Sequence, residues 1–292
     1  MKNAMPYNER ISWDDVAKLP DFSRIYTEAV KKAGIWKHLE KLYSLKLLDK
    51  PARILDMGGG SGTLGILLEK EFGPLAEYTN VDCDKQELEK SPGRRLHGSY
   101  THLNELLGEE EFDYVFCLSP SDNSGISRAA INSMIRDGQG ADPFGTDLVS
   151  MTREADYNSR QLKSYLILLN AAFSVANGGM FIRGGFIPKD ALKGTKEKLN
   201  ELGFQLYEED HLKLSRDACR MVVSFDVQNS GETLSPSELE RVALFYEQRF
   251  MLATFVKAKG TNKIRLLKKI DDASRRFAEH HSYLEVQDRF WG

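Results

Sequence analysis

The chain has 292 residues, of which 41% are hydrophobic and 28% charged, with a formal net charge of -3 at pH 7. This length can bury the core of one large domain with extensions, and the slightly acidic balance excludes a strong global attraction to nucleic acid. Three cysteines without a CxxC pair argue against a metal site. We find no stretch long enough to span a membrane and no secretory signal in residues 1–6, so we expect a cytoplasmic chain.

The first fifty residues are predicted to be helical and to precede the main domain. Ser12 begins a segment typical of a capped helix start, and residues 25–48 form a longer amphipathic stretch. We therefore assign residues 1–50 to a helical N-terminal extension, of the kind that often covers a ligand site.

The most informative stretch runs from Ile54 to Gly62, where a buried strand, a glycine turn and a helix start follow one another. Leucines at helical spacing predict that the helix covers residues 63–72. Glycine in such a turn accepts positive φ, lets a ligand approach the backbone, and lets strand and helix pack closely. The sequence therefore predicts a nucleotide-binding turn.

A second short strand over residues 76–81 is followed by Asp82, about twenty residues beyond the turn, where a ribose-binding acid is expected. A carboxylate at the carboxyl end of a strand can accept hydrogen bonds from both hydroxyls of a ribose. Open α/β sheets bind their ligands at that edge. We therefore predict that Asp82 binds a ribose.

Strands and helices continue to alternate after Asp82, which indicates an α/β fold. A long insert at about 119–158, rich in Ser, Asp, Asn and Gly and with a short helix near 128–135, interrupts the alternation. The other predicted helices cover 84–90, 101–107, 159–176 and 189–202; the predicted strands cover 95–97, 112–118 and 180–187, with 204–214 and 220–227 as a terminal antiparallel pair.

Residues 231–292 are predicted to form a helical C-terminal extension. A capped helix start at Ser235 and dense apolar residues over 239–255 predict helices that dock on the domain or on a second subunit, for example in a homodimer. Basic residues dominate 257–276. Such a stretch is either a solvated helix face or a surface for an anionic substrate or partner.

The pattern Asp56-x-Gly58-x-Gly60-x-Gly62, followed by Asn80-Val81-Asp82, resembles motifs I and II of class I S-adenosylmethionine-dependent methyltransferases. Dinucleotide dehydrogenases instead carry Gly-x-Gly-x-x-Gly. The resemblance covers roughly residues 50–228. It implies a Rossmann-like, seven-stranded, mostly parallel sheet with an antiparallel terminal hairpin in a domain at 51–230, and S-adenosylmethionine as the cofactor.

The resemblance also implies which residues contact the cofactor. Asp56 would organise the loop and the methionine end, Cys83 would lie against the adenine, and Ser99 would meet the adenine amino group where the family commonly has a short acid. The full set of implied cofactor residues is Asp56, Gly58, Gly60, Gly62, Asp82, Cys83, Ser99, Tyr100, Leu118 and Ser119.

Methyl transfer from a sulfonium needs mainly alignment, with a base only if the nucleophile arrives protonated. The substrate is expected at the end of the fourth strand, where the Asn/Asp-Pro-Pro-aromatic signature of amino-directed DNA and protein enzymes is absent. Asp122, Tyr157 and Arg183 are our candidate catalytic residues. We favour a small or medium-sized metabolite as the methyl acceptor.

Three alternatives remain open. Ribose 2′-O-methyltransferases of RNA share weaker segment similarities, but their Lys-Asp-Lys-Glu tetrad would fall on Lys37, Leu118, Arg183 and Met221, and arginine cannot act as a base. Aminopropyl or aminobutyryl transferases use the same fold, although their N-terminal β-hairpin domain is missing here. A non-catalytic interaction subunit is the third alternative.

Overall fold

A seven-stranded sheet forms the centre of the molecule. The computed structural model describes residues 15–16, 18–44, 50–118, 128–137, 165–186, 189–229, 231–247, 250–258, 260 and 262–291. The strands are β1 (Ala52–Met57), β2 (Ala76–Asp82), β3 (Arg94–His97), β4 (Phe112–Leu118), β5 (Val175–Phe186), β6 (Phe204–Leu212) and β7 (Phe250–Lys257), in the spatial order β3-β2-β1-β4-β5-β7-β6.

All neighbouring strands pair in parallel except β7, which is antiparallel to both β5 and β6. The strands in the middle of the sheet are almost entirely buried because helices cover both faces. In β1 the register sets Asp56 beside Asn80 of β2 and Phe116 of β4. The carboxyl ends of β1, β2, β4 and β5 therefore share one edge.

Two apolar cores lie on the two faces of the sheet. One core contains Ile54 and Phe116, and the other contains Leu55 and Val115, as the two-residue period of a strand requires. Helices on the first face are α1 (Pro20–Lys32), α2 (Ile35–Ser44), α3 (Thr63–Phe72), α6 (Arg128–Asp137), α9 (Arg216–Asn229) and α10 (Pro236–Tyr246). Helices on the second face are α5 (Leu103–Leu107), α7 (described over 165–174), α8 (Lys189–Glu201) and α11 (Lys263–Trp291); α4 (Lys85–Leu88) is a single turn after β2.

Helices α1 and α2 lie within residues 1–50, where the sequence predicted helices, while the predicted start at Ser12 lies outside the described residues. Pro20 begins α1 and Asp21 occupies its first turn, both of which favour a helix N-terminus. Arg24 of α1 donates to the carbonyl of Lys213 at 2.8 Å, and Phe22 contacts Phe250 edge to face at 6.3 Å between ring centroids. These contacts fix α1 against the antiparallel end of the sheet.

The position of the last strand corrects the sequence prediction. Residues 220–227 were predicted to be a strand, but they lie inside helix α9, and the strand beside β6 is Phe250–Lys257. The buried pairs at 218–219 and 222–223 repeat every four residues, which is a helical period. The predicted strand began at residue 220 and left out Ala218 and Cys219, so the helical repeat was not recognised.

Strand β7 was misread for a related reason. It lies between β5 and β6 with both faces covered, so its sequence is a continuous apolar run without polar alternation. We read that run as helical packing. The sheet therefore takes its seventh strand from the segment that we had assigned to the C-terminal helical extension.

The C-terminal segment also contains the helix predicted from Ser235. The Ser235 side chain accepts from the backbone N–H of Glu238, whose carboxylate accepts from the Ser235 backbone in return. Helix α11 buries Leu266 and Ile270 against the second core of its own sheet, and a homodimer through these helices stays a prediction. Among the described residues, no helix combines the length and the apolar character needed to cross a membrane.

Lys257, at the end of β7, is a buried lysine that the sequence analysis counted only as part of the basic stretch. It is 1% exposed, and its ammonium donates to the carbonyls of Ala172, at 3.0 Å, and Val175. Burial lowers the pKa of Lys257 to about 8. The ammonium thus satisfies carbonyls where α7 ends and β5 begins.

A Lys257→Met variant is expected to unfold more easily, by about 1 to 3 kcal/mol, because buried carbonyls lose their donor. Chemical denaturation measures this, with Lys41→Met as the matched control at an exposed lysine. The control should change stability by less than about 0.5 kcal/mol. Equal effects of the two variants would show that the buried contacts of Lys257 do not stabilise the fold.

Candidate functional site

The glycine turn after β1 has the backbone that the sequence predicts. Gly58, Gly60 and Gly62 have φ of 76°, 52° and 78°, a region that side chains with a Cβ rarely adopt. The Gly58 N–H donates to the carbonyl of Val81 at 2.8 Å, and Gly62 N–H donates to the carbonyl of Gly59 at 2.8 Å. The turn is therefore tied to the end of β2 and leads directly into α3.

Asp82 lies at the carboxyl end of β2, facing this turn. Its two carboxylate oxygens accept from the backbone N–H groups of Gly60 and Asp84, each at 2.8 Å. The residue is 9% exposed and forms no ion pair with any described residue. Since an ionised carboxylate has about four acceptor positions, both oxygens keep capacity for further donors.

Asp56 is buried below the same turn, at 3% exposure. The hydroxyl of Tyr78 donates to Asp56 Oδ2 at 2.7 Å, and no described cation pairs with the carboxylate. Asn80 supports the turn from β2 by donating to the carbonyl of Gly60 at 2.8 Å and to Ser91 Oγ at 2.9 Å. Polar side chains on two adjacent strands thus hold the turn in place.

Gly59 fits between these side chains only because it lacks a Cβ. A Cβ there would lie 2.5 Å from Asp56 Oδ2 and 2.6 Å from Asn80 Oδ1. Real Cβ atoms essentially never approach heavy atoms so closely, and both oxygens belong to buried side chains. Gly59 is therefore required by packing, Gly58 and Gly60 by backbone conformation, and Gly62 by both, since a Cβ there would lie 2.2 Å from Ser91 Oγ.

The pKa of Asp56 is raised to about 7, mainly because burial penalises the charged form. The hydrogen bond from Tyr78 lowers the pKa, and the negative charge of Asp82 raises it further. A raised folded-state pKa means that the folded protein binds more protons than the unfolded chain between about pH 4 and 7. Without ligand, the contribution of Asp56 to stability is therefore largest below pH 4 and is lost as pH rises through 7.

We expect Asp56→Asn to remove this pH dependence and to be more stable than wild type at pH 8, by on the order of 2 kcal/mol. The comparison is urea unfolding of both proteins at pH 5 and pH 8 without cofactor. Asn keeps an acceptor for Tyr78, so the variant isolates the charge. Parallel pH profiles for the two proteins would mean that Asp56 does not titrate in this range.

Four other predicted cofactor residues lie at the same edge of the sheet. Cys83 is exposed directly after Asp82, and Leu118 is the buried last residue of β4. Ser99 follows β3, and its hydroxyl is 2.7 Å from Thr101 Oγ1 while it accepts from the Thr101 N–H. Tyr100 is 6% exposed and belongs to the second core. Their contacts to a cofactor stay predictions.

The candidate catalytic residues are placed only in part. Asp122 and Tyr157 lie outside the described residues, as does the predicted cofactor residue Ser119. Arg183 of β5 pairs in register with Cys117 of β4. It lies on the sheet face opposite Asp56 and is one register position nearer to the carboxyl edge of the sheet than Asp56. Its Nε is buried without a hydrogen-bond partner among the described residues, and burial lowers the pKa of its guanidinium.

The sequence analysis assigned no role to three polar residues of the site. Tyr78 and Asn80 precede Asp82 on β2 at two-residue spacing, which places all three on one face of the strand. That spacing was the available signal. Tyr26 comes from α1, and the charge of Asp56 adds to burial in raising the pKa of Tyr26. Since α1 is distant in sequence, no local pattern could have indicated this interaction.

The sheet order, the single antiparallel strand β7, and the two acids at the ends of β1 and β2 now stand together. This is the arrangement that the motif resemblance implies. The chain has the fold of the class I methyltransferases. Its β1, glycine turn and α3 correspond to the first motif, and the end of β2 corresponds to the second.

Known proteins resemble this methyltransferase-fold chain in structure at low sequence identity. N-methyltransferase NodS from Bradyrhizobium japonicum, in complex with S-adenosyl-L-homocysteine, has a TM-score of 0.45 and 10% identity over 86% of this chain and 94% of its own. Fibrillarin from Aeropyrum pernix, with bound S-adenosyl-L-methionine, has a TM-score of 0.40 and 12% identity over 71% of this chain and 67% of its own.

A putative methyltransferase in complex with the Haloferax volcanii Trm112 activator has a TM-score of 0.42 and 13% identity, over 82% of this chain and 100% of its own. No protein-family model and no curated protein sequence matches the chain. The chemistry of the site therefore has to be inferred from the side chains of this chain.

Proposed function

We propose that this chain is an S-adenosylmethionine-dependent methyltransferase. The observation that carries the proposal is a pair of buried acids, Asp56 and Asp82, at the ends of adjacent strands and on either side of a glycine turn. Neither acid pairs with a described cation. Buried carboxylates without a basic partner are costly unless a ligand supplies donors or positive charge.

The residues of the turn fit such a ligand. Asp82 has free acceptor capacity for the two ribose hydroxyls, and Asp56 would favour the methionine ammonium group through its charge. The turn at Gly58–Gly62 leaves backbone open to close approach. When bound, S-adenosylmethionine supplies an electrophilic methyl group; the residues named here only bind and orient it.

The acceptor would bind beside the ends of β4 and β5, near Leu118. Arg183 is too basic to remove a proton, so its role would be to bind an anionic group. A buried guanidinium whose Nε finds no described partner suits the carboxylate or phosphate of a small or medium-sized metabolite. We therefore propose such a metabolite as the first acceptor class.

RNA is the second candidate acceptor, favoured by the basic face of α11 described below. The structure argues against a ribose 2′-O tetrad on this chain. Leu118 is a buried apolar residue where the tetrad needs an acid, and Met221 lies in helix α9 rather than in a strand. An atom of a base, rather than a ribose hydroxyl, would then accept the methyl group.

Transfer of a radiolabelled methyl group from S-adenosylmethionine tests the proposal. The purified chain is incubated with a metabolite extract and, separately, with total RNA, and Asp82→Ala serves as the inactive control. Label that appears in either fraction only with the wild-type chain supports methyl transfer and identifies the acceptor class. Cofactor binding without any transfer would instead favour a non-catalytic interaction subunit.

A further inference from the structure

A basic groove follows helix α11 on the second face of the sheet. We define the α11 groove by Arg265, Lys268, Lys269 and Arg276 of that helix, together with Tyr165 at the described start of α7. The groove contains a cavity of about 430 Å³. A second cavity of about 340 Å³ adjoins it and shares Arg265 and Lys269.

The four basic side chains of the groove form no ion pair with any described residue. Asp272 lies among them but is bonded to Arg275 at 2.6 Å. Most other described arginines have a carboxylate partner. These partnered arginines are Arg24, Arg53, Arg94, Arg128, Arg216 and Arg220. The groove is thus a local excess of positive charge on a chain whose net charge is -3.

The groove extends along helix α11 and includes one aromatic ring. Arg265 and Arg276 are eleven residues apart, which corresponds to about 16 Å along a helix. Tyr165 faces the same cavity, with Lys198 over its ring at 5.1 Å from the centroid. A row of cations beside an aromatic ring is the combination by which proteins bind single-stranded nucleic acid.

The groove runs toward the carboxyl edge of the sheet. Lys263 is the first residue of α11. Its ammonium pairs at 2.9 Å with Glu111, the residue directly before β4, and lies over the ring of Phe173 near the end of α7. Arg276 lines the same cavity as Tyr165, which lies at the other end of α7. Because α7 leads into β5, that end lies toward the carboxyl edge of the sheet.

We infer that the α11 groove binds single-stranded nucleic acid, with phosphates on the four cations and a base against the part of the Tyr165 ring that lines the cavity, since Lys198 lies over one face of that ring. An acidic peptide would neutralise the same cations but would make no use of the ring. The inference is independent of the proposed function, because binding in the groove does not require that the nucleic acid is methylated.

Fluorescence anisotropy with a labelled single-stranded oligoribonucleotide and the full chain tests this inference. We expect wild type to bind. A plot of the logarithm of its binding constant against the logarithm of the salt concentration should have a slope of about -2 to -3, as three or four phosphate contacts require. Lys268→Glu combined with Arg276→Glu should weaken binding at least tenfold and lower the slope. Tyr165→Leu should weaken binding several-fold and leave the slope unchanged, because stacking is not ionic.

The matched control is Lys41→Glu combined with Lys70→Glu, two exposed lysines on helices of the opposite face. It makes the same change in net charge and should retain most of the binding. Equal losses in both double variants, or no binding by wild type at low salt, would overturn the inference. Groove-dependent binding of anionic lipid vesicles or acidic peptides without RNA binding would also overturn it.

Calorimetric titration of S-adenosylmethionine into the same groove variants separates this inference from the proposed function. Unchanged cofactor affinity with lost oligonucleotide binding supports the groove alone. Oligonucleotide binding by a wild-type chain that binds no cofactor would uphold the groove and reject the proposed function.

Discussion

A Gly59→Ala variant is expected to lose cofactor binding by more than tenfold and to unfold more easily, by about 1 to 3 kcal/mol. The new Cβ would lie 2.5 Å from Asp56 Oδ2 and 2.6 Å from Asn80 Oδ1. Asn80 also donates to the carbonyl of Gly60, so it cannot move without disturbing the turn. Calorimetric titration with S-adenosylmethionine and thermal unfolding measure the two effects.

The control for this variant is Gly178→Ala, at a glycine with φ of 83° and no atom within 4 Å of the added Cβ. It carries a backbone cost of about 1 kcal/mol without a collision. We expect it to bind the cofactor normally. If Gly59→Ala folds and binds as well as this control, Asp56 and Asn80 do not enclose the turn as described.

Asp82→Ala is expected to weaken S-adenosylmethionine binding by about 1 to 3 kcal/mol, or roughly five- to 150-fold. The variant removes a buried charged acceptor for the ribose hydroxyls and also leaves the N–H groups of Gly60 and Asp84 without their carboxylate. Titration of wild type and variant at equal pH and salt gives the difference directly.

The matched control is Asp84→Ala, two residues further along the chain. Asp84 is exposed and accepts from the backbone N–H groups of Gln86 and Glu87 at 2.9 and 3.2 Å as the cap of α4. The control loses the same charge and also loses backbone hydrogen bonds, but Asp84 is not among the predicted cofactor residues. Equal loss of cofactor affinity in the two variants would remove Asp82 from the proposed ribose site.

The sequence predicted the elements whose evidence is local. The strand, the glycine turn and the helix over residues 54–72 follow one another directly, so each is visible in a short stretch of sequence. Asp82 then follows at the distance that one helix and one strand require. The structure confirms the turn and the position of Asp82. Their contact with a cofactor rests on the proposal and its tests.

Features that depend on distant packing were harder to predict. The apolar run of β7 has no period because both of its faces are covered. Helix α9 was misread as a strand because its buried stripe begins at residues 218–219, before the predicted strand. The charge of Asp56 influences Tyr26 only because α1 docks on the sheet. The groove could be recognised only once Tyr165 and Arg276 were placed beside each other, from segments about a hundred residues apart.

The most direct test of the account is isothermal titration of the purified wild-type chain with S-adenosylmethionine and, separately, S-adenosylhomocysteine. The account predicts that both ligands bind at one site per chain, with the affinity for S-adenosylmethionine reduced in Asp82→Ala and retained in Asp84→Ala. Absence of binding for both ligands to a folded wild-type chain would contradict it.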